Sequence, residues 1–150
     1  SPHTHCRLVL LEREAVWDGR FLTRMMERRV GMKYVDGYVL PVPKKNLKAY
    51  TRMAQKAGKV WREHGALDYK ECAGDDQNVK FGVPFPRQMK IKPGEKVVFA
   101  YIVFKSRAHR DRVNAKVMKD PRLQNMGDPN NMPFNVKRMV YGGFRVLVDV

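Results

Sequence analysis

The stretch that most constrains this chain runs from Glu95 to Pro121, EKVVFAYIVFKSRAHRDRVNAKVMKDP. Val97 to Phe104 is a run of eight apolar residues, rich in β-branched and aromatic side chains and far too short for a membrane span. It predicts a strand buried on both faces. A polar turn and a basic, helix-forming segment follow. Ser106 is placed to cap that helix by accepting a hydrogen bond from one of its first free amides. Asp120-Pro121 ends it, because proline restricts its predecessor and supplies no donor. A central strand feeding a crossover helix is the pivot around which the remaining segments must arrange.

Upstream, Tyr34 to Leu40 predicts a first strand, with Pro41 and Pro43 expected to bar its continuation. Leu47, Tyr50, Met53, Ala54, Ala57, Val60, Trp61 and His64 then recur at three- and four-residue steps. They form one face of an amphipathic helix that Gly65 ends. Leu67 to Cys72 reads as a second strand. A polar, proline-interrupted loop leads to a short strand expected over Gln88 to Lys92 and a Pro93-Gly94 turn. After the pivot, Leu123 to Asn135 is loop-like, and the last strand or strands run from Lys137 to Val150. Gly142-Gly143 there marks a bulge or a close backbone approach. The order is that of an α+β, ferredoxin-like βαββαβ sandwich, in which right-handed crossovers put both helices on one face of the sheet.

The other face is not polar. Val98, Ala100, Ile102 and Phe104 alternate towards the helices, leaving Val97, Phe99, Tyr101 and Val103 on the far side. In the last strand Val140, Phe144, Val146 and Val148 alternate with Met139, Tyr141 and Leu147. A second apolar face of this size requires a cover. The economical cover is the same sheet from another copy, a homodimer with Val97, Phe99, Tyr101 and Val103 in its interface.

A chain of 150 residues with 43% hydrophobic residues is long enough for one ordinary core. Met32 to Val150 is expected to form that single domain. Ser1 to Gly31, with scattered arginines and no signal-peptide pattern, reads as an N-terminal extension, leader or tag-like. Its His3, His5 and Cys6 make a weak metal pattern at a terminus, and no metal is expected. No segment approaches the roughly 20 apolar residues of a transmembrane helix, which excludes a helical membrane protein. Two cysteines, Cys6 and Cys72, form neither a disulfide framework nor a metal motif, so a reducing cytoplasm fits. A formal charge of +15 attracts polyanions generally, although basic residues on helices ordinarily form a solvated face.

The runs MKYVDGYVLPVPKKNLKAY, KAGKVWREHGALDYKEC, FKSRAHRDRVNAKVMKDPRL and MPFNVKRMVYGGFRVLV together resemble the YbaA-like family of small bacterial proteins, in the dimeric α/β-barrel superfamily. The resemblance covers Met32 to Val150. It implies a ferredoxin-like protomer and a homodimer, and it assigns no reaction and no catalytic residue.

Enzymes of that wider superfamily include cofactor-free monooxygenases and isomerases with a cleft between sheet and helices. Here Tyr38, Trp61, His64 and Tyr101 are candidates to line such a cleft, with His64 as a general base and the aromatic residues excluding water. The plainer reading is that His64 ends a core-facing stripe and hydrogen-bonds near Gly65. Arg107, His109 and Arg110 in the first turn of the second helix are candidates for a small acidic ligand. Both helices start at the same end of the sheet, which places His64 and His109 about 25 Å apart, too far to share an ion. No HExxH, P-loop, GxGxxG or GxSxG motif is present.

The reading reached is a small-molecule-binding dimer of the cytoplasm, with cofactor-free catalysis left open. RNA binding through the basic surface is the alternative, and its strand signal is Phe99 to Phe104, which matches the later part of an RNP1 motif. That use competes with dimerisation for one sheet face. A purely structural dimer is the remaining choice.

Overall fold

A computed structural model describes residues 19–20, 32–124 and 128–150. The chain divides into two units, Ser1–Met32 and Lys33–Val150. Of the first, residues 19 and 20 are helical, and the expectation of an N-terminal extension otherwise lies outside the described residues. The second unit holds β1 (Tyr34–Pro43), α1 (Leu47–Glu63), β2 (Asp68–Ala73), the short α2 (Phe85–Gln88), β3 (Glu95–Phe104), α3 (Arg107–Lys119), the short α4 (Pro121–Gln124) and β4 (Val140–Arg145). The sheet has four strands in the order β2-β3-β1-β4, and every neighbouring pair is antiparallel. This is the ferredoxin-like arrangement, and the sheet of one chain is open rather than closed into a barrel.

The eight-residue apolar run forms β3, flanked by β1 and β2. Its alternation holds: Val98, Ala100, Ile102 and Phe104 are buried. Ile102 and Phe104 pack with Val60 of α1 and with Val113 and Val117 of α3, so both helices cover one face. Ser106 Oγ accepts from the His109 amide at 3.1 Å, which is the cap the sequence requires. His64 caps α1 at its C-terminus, and Gly65 follows at φ +116°, a conformation that favours glycine.

Three segment expectations need correction. β1 runs through both prolines to Pro43. The Lys44 amide donates to the Gly94 carbonyl, which sets the parity: even-numbered amides of β1 point to β3 and odd ones point away. Pro41 and Pro43 therefore lack only donors on the side where β4, whose pairing stops at Val39↔Val140, has already ended. Residues 88–92 form no strand, because Pro84 and Pro86 start the helical turn α2 instead. The last strand is confined to Val140–Arg145, preceded by a 3-10 turn at Val136–Arg138. Val146 and Val148 thus lie beyond it. Its ladder is unbroken across Gly142 and Gly143, so there is no bulge. A Cβ on Gly143 would collide with the Tyr34 hydroxyl, so the glycine marks a close approach.

Candidate functional site

Strand register places side chains on the helix-covered face in rows. One row is Glu71, Ala100, Tyr38 and Tyr141; its neighbour is Tyr69, Ile102, Asp36 and Gly143. Ala100 is small between two long side chains, so a cavity of about 170 Å³ opens above it. Tyr38, Trp61, Tyr69, Phe134 and Met139 wall it, and Glu71 supplies its carboxyl group. Tyr50, Ala54, Tyr69 and Glu71 also line a wider groove of about 770 Å³ between α1 and β2. Glu71 therefore stands where the smaller cavity meets the wider groove.

Both oxygens of that carboxyl are held. Tyr50 Oη donates to Oε2 at 2.7 Å and Tyr69 Oη donates to Oε1 at 2.8 Å. The phenols favour the charged form, yet burial is the larger effect and pushes the Glu71 carboxyl above the ordinary glutamate value. Burial, then the charge of Glu71, raises both phenols in turn. Tyr69 reaches this position by crossing close to α1. A Cβ on Gly58 would lie 2.7 Å from its ring, so a larger residue there would displace it.

A second buried acid supports the cavity wall. Asp36 is 2% exposed, and its Oδ2 accepts from Asn114 Nδ2 at 3.3 Å. Asn114 Oδ1 accepts from Trp61 Nε1 at 3.0 Å, fixing the indole against the cavity. Arg110 stands 3.4 Å from the other Asp36 oxygen; that oxygen accepts no hydrogen bond. Burial raises the Asp36 carboxyl, opposed by Asn114 and Arg110. Among the described residues no group of three His, Cys, Asp or Glu side chains is placed to hold a metal ion.

Residues 33–136 match the model of a family described as a protein of unknown function, DUF1428. Over 118 residues the chain is 42% identical to the uncharacterized protein YbaA of Escherichia coli, covering 79% of this chain and 99% of that protein. The YbaA of Shigella flexneri matches equally. The chain belongs to the YbaA-like family. A crystal structure of a dimeric ferredoxin-like protein from an uncultured marine organism matches with a TM-score of 0.50 at 13% identity, covering 79% of this chain and 99% of that one. That likeness shows the fold.

Within this YbaA-like chain the candidate residues scatter. Tyr38 and Trp61 do share the cavity. Tyr101 does not: its odd register puts it on the far face, with its ring 5.9 Å from that of Phe99. His64 points away from the cavity, with Nε2 2.8 Å from Asp120 Oδ2. Asp120 in turn pairs with Arg122, which pairs with Glu63. The supposed 25 Å separation of His64 and His109 also fails. A Cβ on Gly65 would lie 3.3 Å from His109 Nε2: β1 and β3 are antiparallel, so the helices that follow them start at opposite ends of the sheet, and the end of α1 meets the start of α3.

Nor do Arg107, His109 and Arg110 converge on one ligand. Arg110 turns inwards, its guanidinium 4.9 Å from the centre of the Tyr34 ring. His109 Nδ1 accepts from the Lys105 amide at 3.0 Å. Burial, and then Lys105, Arg112 and Lys116, hold that imidazole below its ordinary value. Arg107 is exposed. On the far face Val97 is already buried at 4%, while Phe99, Val140 and Phe144 are 43%, 60% and 62% exposed.

Proposed function

We propose that this protein binds a small, mostly apolar, single-ring molecule in the cavity above Ala100, and that Glu71 exchanges a proton with it. The observation that carries this reading is the Glu71 carboxyl, gripped by two phenols in a space otherwise walled by aromatic, aliphatic and methionine side chains. A cavity of roughly 150 Å³ accommodates one benzene-sized ring. The apolar walls supply affinity, and the carboxyl orients the one polar group of the ligand.

A glutamate of raised pKa is a stronger general base than an ordinary one and, once protonated, a proton donor at higher pH. Charged, Glu71 takes a proton from an acidic O–H or C–H of the ligand, whose electron pair remains on the ligand. Neutral, it returns that proton. Tyr50 and Tyr69 hold the carboxyl in place during both steps, and no cofactor is required for the exchange.

The same reading includes a homodimer formed through the far face of the sheet. Phe99, Val140 and Phe144 form an exposed apolar surface there, and the marine relative in fold is described as dimeric. Covering that face excludes base stacking on Phe99 and Tyr101, and leaves the cavity, on the opposite face, open through its groove.

Ligand-observed NMR with a set of single-ring phenols, ketones and carboxylic acids tests the site. Binders are expected that broaden with wild type and are lost in an Ala100→Leu variant that still melts cooperatively. A set that binds neither protein, or binds both equally, overturns the assignment.

A further inference from the structure

The outer side of the helix layer carries an arrangement that the cavity does not use. On α1, Lys48, Arg52, Lys56 and Lys59 follow one another at steps of four, four and three residues, and Lys45 precedes them in the adjoining turn. That spacing sets them in one row opposite the buried stripe, about 17 Å long from Lys48 to Lys59. On α3, Arg112, Lys116 and Lys119 repeat the pattern. All of these residues are exposed.

Like charges at such spacing repel and destabilise a helix unless a counter-charge intervenes. None intervenes here. The one carboxylate of α1, Glu63, pairs with Arg122, and the one of α3, Asp111, pairs with Arg110. Asp120, next to α3, is taken by His64 and Arg122. Among the described residues no member of either row stands in an ion pair. Eight of the thirty Lys and Arg residues of the chain thus lie, without compensation, on the helix layer.

We propose that this helix surface binds the sugar-phosphate backbone of double-stranded nucleic acid, without sequence preference. Fixed rows of cations match fixed rows of phosphates. A single strand would need aromatic platforms, and neither helix exposes one; Met118 is the large apolar side chain exposed there. The same scarcity of apolar side chains argues against a membrane surface, which draws affinity from buried apolar area as well as charge. The surface lies opposite the sheet face assigned to the homodimer, so duplex binding and dimerisation are compatible. This differs from recognition through the RNP1-like strand, where the two would exclude each other.

Fluorescence anisotropy of the full chain with a mixed-sequence DNA duplex of about 20 base pairs tests this. Neutralising five phosphates predicts an affinity loss of about 500-fold between about 50 and 200 mM salt. The Lys48→Gln/Arg52→Gln/Lys56→Gln variant is expected to weaken binding at low salt and to reduce that loss to about tenfold. Phe99→Ala and Glu71→Gln are expected to change neither. Undetectable binding of the wild type at low salt overturns the proposal. So does binding that Phe99→Ala weakens and the triple variant does not. Phosphatidylserine vesicles that bind in a row-dependent manner while the duplex does not would overturn it in favour of a membrane partner.

Discussion

Tyr50 donates a 2.7 Å hydrogen bond to Glu71, tying the first turn of helix α1 to an edge strand through a carboxyl that burial keeps above its ordinary pKa. The contact joins structure and proposed chemistry in one bond. The phenol that orients the carboxyl also lines the cavity. Proton exchange and packing are therefore linked, and each can be read through the other.

Stability should report the Glu71 proton. A carboxyl whose folded pKa exceeds its unfolded value binds more protons in the folded state across the window between the two values, so stability falls as pH rises through it. The window opens at the ordinary glutamate value near 4.5 and extends upward. Glu71→Gln removes this dependence. Thermal melts from pH 4 upward should show the variant gaining on wild type as pH rises, then holding a constant difference. Parallel curves throughout would show that Glu71 titrates at an ordinary value.

Gly58 offers a test of sign. Alanine is the better helix former by about 1 kcal/mol, yet its Cβ would stand 2.7 Å from the Tyr69 ring, and overpacking of that kind costs roughly 1 to 3 kcal/mol. Gly58→Ala should destabilise by about 1 kcal/mol in urea melts and loosen the Tyr69 bond to Glu71. A stabilised variant would show that Tyr69 moves aside freely and that its hydrogen bond is dispensable.

Much of this was legible in the sequence. The unbroken apolar run of β3, the three-four stripe from Leu47 to His64 and the Ser106 cap each combine a period with a local chemical signal, and each formed where expected. Glu71 was missed because DYKEC reads as a polar edge strand. Its signal was period two, which places Tyr69 and Glu71 on the helix-facing side. The same alternation separates Tyr101 from Tyr38, and following it through would have kept Tyr101 out of the cleft. The nearness of His64 and His109 follows from the antiparallel pairing of β1 and β3, which the βαββαβ order itself implies and which placing both helix starts at one end of the sheet overlooks. The length of β1 depended on which way the proline nitrogens point, and that parity is set only once β3 pairs with it.

The sheet face calls for its own measurement. Placing an unpaired charge in a closed apolar interface costs several kcal/mol, so Phe99→Asp should weaken the homodimer by at least about a hundredfold. Sedimentation equilibrium is expected to show a wild-type dimer at micromolar concentration and a monomeric variant that still melts cooperatively. A monomeric wild type would remove the homodimer from the account.

The central claim is that Glu71 is a buried proton-exchanging carboxyl facing a ligand cavity, and carbon-detected NMR titration of its carboxyl carbon tests that most directly. The account predicts a midpoint above 4.5. It predicts a further rise in Tyr50→Phe, where a bond favouring the charged form is lost, and a displaced midpoint when a ring compound occupies the cavity. A midpoint at the ordinary glutamate value, unmoved by either change, would contradict it.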